Sequence, residues 1–127
     1  MAFDGEKYTN DSLIEELLLI ERHCKDGSAA KAHCSCIQDK HMKTVIALAK
    51  EGKPLTKNVK LKGFYESLQA YGEKRLQSIY DLIKSEPSME EEISFYNVLS
   101  DEIRLFRVAL ENEDLCGCVG CPLCKHA

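Results

Sequence analysis

From Leu61 to Ile83, residues of one face recur at Leu61, Tyr65, Leu68, Gly72, Leu76, Ile79 and Ile83, with no proline between them. The steps of three and four residues trace one stripe of an α-helix. Gly52-Lys-Pro54 before it and Glu86-Pro87 after it are helix breakers, so the spacing predicts a helix from Thr56 or Asn58 to Ser85. At 1.5 Å per residue this is a rod of ~40 Å. A rod with a single apolar face must be covered by other elements laid along it, which confines the chain to packed-helix architectures. Gly72 lies on the stripe and gives up about 1 kcal/mol of helix propensity relative to alanine. Its place there predicts the close approach of a neighbouring helix.

Three more segments carry the same period. Ser12-Leu-Ile-Glu15 has the form of a capping box, in which a serine hydroxyl and a glutamate carboxylate satisfy backbone N–H groups at a helix start. It predicts a first helix over 12–24 with Leu13, Leu17, Ile20 and Cys24 facing inward, flanked by Ile14 and Leu18. Ser35-Cys-Ile-Gln38 is a second such box, predicting a second helix from Cys36 to just before Gly52. Its stripe is Ile37, His41, Val45 and Leu48, with Met42, Ile46 and Ala49 beside it. Ser88-Met-Glu-Glu91 is a third box and opens a fourth helix that ends near Glu113, with Tyr96, Leu99, Ile103, Phe106 and Leu110 as its stripe. No strand alternation and no internal repeat is present.

The sequence therefore predicts an all-α, single helical domain over 1–127: a four-helix bundle, up-down-up-down. In it a short N-terminal helical hairpin packs on a long C-terminal one, and residues 115–127 form a cysteine-rich metal-binding tail. The first two helices come out at only about 20–24 Å. The uncovered length of the longer hairpin then calls for a homodimer or another protein partner.

Seven cysteines are placed unevenly. Four of them, Cys116, Cys118, Cys121 and Cys124, fall in nine residues, with Gly117 and Gly120 permitting tight backbone turns and Pro122 stiffening the next. Two-residue gaps let the chain fold back and present both sulfurs to one ion. The other cluster is Cys24, Cys34, Cys36 and His41, with His23 beside it, at the corner between the first two helices. A cap at Ser35 puts Cys36 in the first helical turn, where the helix field favours a thiolate. These eight residues, Cys24, Cys34, Cys36, His41, Cys116, Cys118, Cys121 and Cys124, are the candidate metal ligands. His33 and His126 are expected to face solvent. Thiolates mixed with imidazole suit tetrahedral zinc, whereas the unbroken Cys118-x2-Cys121-x2-Cys124 run also suits a [4Fe–4S] cluster with a fourth ligand from elsewhere.

The remaining composition narrows the function. A formal charge of -4 argues against nucleic acid or an anionic membrane as the main partner. Lys50, Lys53, Lys57, Lys60 and Lys62 form a local basic run, read as a solvated connection. The first residues lack a basic segment followed by an apolar run, and no stretch approaches the ~20 apolar residues of a membrane span. A cytoplasmic, reducing setting is the expectation, where ligation is the default use of thiols and a disulfide framework the alternative. Glu15, Glu16, Glu21 and Glu90 to Glu92 read as solvated faces. Neither Glu-x-x-His nor His-Glu-x-x-His occurs, so no catalytic set is assigned. The expected function is a zinc-stapled binding or assembly module, with an iron–sulfur electron-transfer or redox-sensing protein as the alternative.

Overall fold

A computed structural model of the chain describes residues 5–25 and 35–112, with the backbone alone at 5, 6, 25 and 35–38. Four helices account for almost all of them: α1 (Gly5–Lys25), α2 (Ser35–Gly52), α3 (Val59–Lys84) and α4 (Met89–Glu111). A single 3₁₀ turn, Lys53–Leu55, connects α2 to α3. The described residues contain no strand. The all-α expectation holds.

Contacts along the helices give their directions. Gly52, at the end of α2, meets Thr9 near the start of α1 and the ring of Tyr65 near the start of α3. The Tyr80 hydroxyl, late in α3, donates to Asp39 Oδ1, early in α2, at 2.6 Å. Phe64 stacks edge-on to Phe106, with ring centroids 5.8 Å apart, near the start of α3 and the end of α4. Each helix is thus antiparallel to the next. One pole holds the start of α1, the α2–α3 connection and the end of α4; the other holds the end of α1, the start of α2 and the α3–α4 turn.

The core lies between them. Leu13, Leu17, Ile20 and Cys24 of α1 are buried, as are Met42, Val45 and Ala49 of α2. α3 adds Leu61, Tyr65, Leu68 and Ile79, and α4 adds Tyr96, Leu99, Ile103, Phe106 and Leu110. The stripes expected for the first and fourth helices are therefore the buried ones. In α2 the buried line sits one position round from expectation, on Met42, Val45 and Ala49, because this helix lies between α1 and α3. Ile46 and Met42 turn toward α3 at Gly72, while His41 turns toward α1. Ile83, expected in the α3 stripe, is exposed.

Gly72 explains how α2 comes so close. A methyl group at that position would lie 2.7 Å from Cγ1 of Ile46. By contrast the α3 and α4 backbones stand further apart, and long side chains fill the space. Phe106 sits between Phe64 and Tyr71, the latter at 4.8 Å between ring centroids. Glu102 accepts from the Tyr71 hydroxyl at 2.9 Å and from Arg75 Nη2 at 2.7 Å. Burial and the Glu102 charge push the Tyr71 hydroxyl well above the usual tyrosine range, so it stays a donor.

Two sequence expectations fail at α1. Ser12 is inside the helix rather than at its cap, since α1 begins at Gly5. The extra turns make tertiary contacts that outweigh the local capping preference: Thr9 packs on Gly52 and Asn10 accepts from the Tyr65 hydroxyl. Consequently α1 has 21 residues and α2 18, against 26 and 23 for α3 and α4, so the hairpins are closer in length than expected. Glu21, expected on a solvated face, is buried and pairs with Arg107 of α4 at 2.7 Å. That hydrogen bond, then the one Arg107 donates to Glu111, raises the Arg107 pKa above its ordinary value. Of the other two expected boxes, Ser88 caps its helix, whereas Ser35 is the first residue of α2, where the backbone alone is described. Asn58, one of the two expected starting points of the third helix, is its cap. The Asn58 side chain accepts from the N–H groups of Lys60 and Leu61, and Ser88 accepts from Glu91 N–H.

Urea denaturation separates these assignments. Asn58→Ala and Ser88→Ala should each lose about 1 kcal/mol, whereas Ser12→Ala should change stability by less than about 0.5 kcal/mol. Gly72→Ala should destabilise by about 1 kcal/mol, overpacking against Ile46 outweighing the propensity gain, and should become stabilising in an Ile46→Ala background. Glu21→Ala, which leaves Arg107 half-satisfied against the core, should lose about 2–3 kcal/mol.

Candidate metal centre

The pole where α1 ends and α2 begins gathers polar, ligand-type side chains along the seam between the two helices. Glu16 and His23 are seven residues apart on α1, two helical turns on one flank of the leucine line. His41 meets both from α2. Its Nδ1 lies 2.7 Å from Glu16 Oε2, and its ring stacks on His23 with centroids 5.8 Å apart and planes inclined by 19°. The side chains of His41 and Glu16 are about four-fifths buried, at 20% and 23% exposure.

The chemistry of the pair comes from its geometry. A carboxylate at hydrogen-bond distance from Nδ1 makes that nitrogen the donor, so in the neutral ring the lone pair belongs to Nε2. Carboxylate–histidine pairs of this kind orient imidazoles that ligate metals through the other nitrogen, and they also serve as ordinary buried hydrogen bonds. Glu16 was missed as a partner because the sequence places it among solvated acids. The signal that reveals it is its seven-residue spacing from His23.

Of the expected ligands, Cys24 is buried at the inner face of α1, in line with Leu13, Leu17 and Ile20. His41 is on the flank just described. Cys36 falls in the first turn of α2, where the backbone alone is described. Cys34, Cys116, Cys118, Cys121 and Cys124 lie outside the described residues, as do His33 and His126. Among the described residues no three histidine, cysteine or acidic side chains are grouped closely enough to hold an ion. No helix among them is long and apolar enough to cross a membrane.

The helix directions put the described residues that border the two cysteine-bearing segments at opposite poles. Lys25 and Ser35, which bracket residues 26–34, are at one pole, and Asn112, which leads into residues 113–127, is at the other. The 18 residues of α2 put the poles ~27 Å apart. Cys116 is four residues beyond Asn112 and reaches no more than ~14 Å from it. No family model, curated protein or solved structure matches this chain.

Replacing Glu16 with glutamine tests the pair directly. The neutral amide can still accept, but it no longer complements a charged imidazolium. The His41 ring resonances should then shift relative to the wild-type chain, read by NMR.

Proposed function

We propose that this chain is a small metal-binding helical protein, zinc-stapled, that serves as a binding or assembly module. The observation that carries the reading is the spacing of Cys116, Cys118, Cys121 and Cys124, four thiols in nine residues with glycines at the turns. At the opposite pole the proposal places a second site, built from Cys24, Cys34, Cys36 and His41. The Glu16 carboxylate on Nδ1 supports His41 there, since it leaves Nε2 to face an ion. Because residues 113–127 start from the pole opposite His41 and Cys116 reaches only about half the distance between the poles, the reading is two sites per chain, one at each end of the helices; Cys124, twelve residues beyond Asn112, has the length to span them.

A zinc ion at such a site does structural work: it cross-links the segment that supplies its ligands and adds its binding free energy to folding. The proposed setting is the cytoplasm, where thiols stay reduced. A second copy of the chain is the proposed partner. Val98, Leu105 and Val108, all exposed on α4, are the apolar surface available to it.

The unbroken Cys118-Val-Gly-Cys121-Pro-Leu-Cys124 run favours a second reading, a [4Fe–4S] cluster in an electron-transfer or redox-sensing protein. Colour separates the two. Zinc protein isolated without oxygen is colourless, whereas a cluster gives a brown solution with broad visible absorption.

Ligand substitutions then assign the sites. Cys118→Ser with Cys121→Ser should remove one metal ion per chain and leave the helical content unchanged. Glu16→Gln should weaken only the other site, by about 10- to 100-fold in affinity. A chain that holds no metal in either form, with all thiols reactive, would contradict the proposal.

A further inference from the structure

The three most exposed large apolar side chains among the described residues are Val59, Leu55 and Tyr8, at 81%, 64% and 59%. All three stand at one pole. Leu55 and Val59 flank the turn between α2 and α3, and Tyr8 is one residue from Thr9, which packs on Gly52 beneath that turn. Around them Lys50, Lys57, Lys60 and Lys62 are exposed and form no ion pair among the described residues; Lys53 is tied to Glu66. An apolar patch ringed by unpaired lysines is a surface made for an acidic, partly apolar chain.

Such a chain begins at the same pole. Phe106 stacks on Phe64, and Asn112 is six residues beyond Phe106. Together with the contacts of Tyr71 and Arg75 to Phe106 and Glu102, this puts Asn112 level with the first turns of α3, around Lys62. Asn112 leads directly into Glu113-Asp114-Leu115, two acids and a leucine, and three residues of chain reach ~10 Å. The gap between α3 and α4 is wider than that of closely packed helices, and the extended acidic and lysine side chains lengthen the reach across it.

We propose that residues 113–127 dock back on the α2–α3 corner of their own chain, Glu113 and Asp114 against Lys57, Lys60 and Lys62, and Leu115 over Leu55 and Val59. The docking fixes where the cysteine run starts and covers the pole's apolar patch. The docking does not require a metal.

Amide hydrogen exchange on the full, reduced chain tests this. In the wild-type chain residues 53–62 should be protected. Glu113→Lys with Asp114→Lys should speed exchange there by about threefold or more, with helical content unchanged. Adding Lys57→Glu and Lys60→Glu to that variant should restore the protection by exchanging the charges. Exchange at 53–62 that is the same in all three proteins overturns the docking. So does protection that appears only at concentrations where the chain dimerises, or only on anionic lipid vesicles, since these assign the surface to a second copy or to a lipid headgroup. Zinc content measured on the same samples bears on the metal-binding proposal alone and leaves the exchange result intact.

Discussion

α1 holds the other helices through one buried line and two carboxylates. Leu13, Leu17 and Ile20 are fully buried, and on either side of them Glu16 and Glu21 reach in opposite directions. Glu16 meets His41 of α2, and Glu21 meets Arg107 of α4. An apolar line alone fixes depth of burial but not rotation about the helix axis. Two charged partners on opposite flanks fix the rotation, because either pair would be lost if α1 turned by one residue. The close approach of α2 to α3 at Gly72 and the aromatic spacing between α3 and α4 complete the ring.

Much of this was legible in the amino-acid sequence. The four apolar periods, the cap at Ser88, and the role of Gly72 come from local rules about spacing and backbone hydrogen bonding. Two features were not. A serine followed three residues later by glutamate looks like a helix start wherever it occurs, and at Ser12 only tertiary contacts of Thr9 and Asn10 reveal that the helix has already begun. Acidic residues read as solvated until a partner is known, and Arg107 lies 86 residues from Glu21. Local patterns carry no information about such pairs.

The candidate sites divide in the same way. Cys24 was expected in the apolar line with Leu13, Leu17 and Ile20 and is buried there, but the sequence could not show that the His41 imidazole rests on a carboxylate. Their different settings give them different chemistry. Burial among leucines raises the free energy of a thiolate, whereas an imidazole oriented by a carboxylate is a ready ligand. The antiparallel order of the helices matters as much as any single residue. It puts Asn112, the residue that leads into 113–127, at the pole opposite His41.

The central claim is that thiols at both ends of the helices hold metal ions independently. Native mass spectrometry of the freshly isolated, reduced chain weighs it directly. The account predicts two zinc ions per chain. A bare chain, or one ion shared between the two cysteine clusters of a single chain, would contradict it.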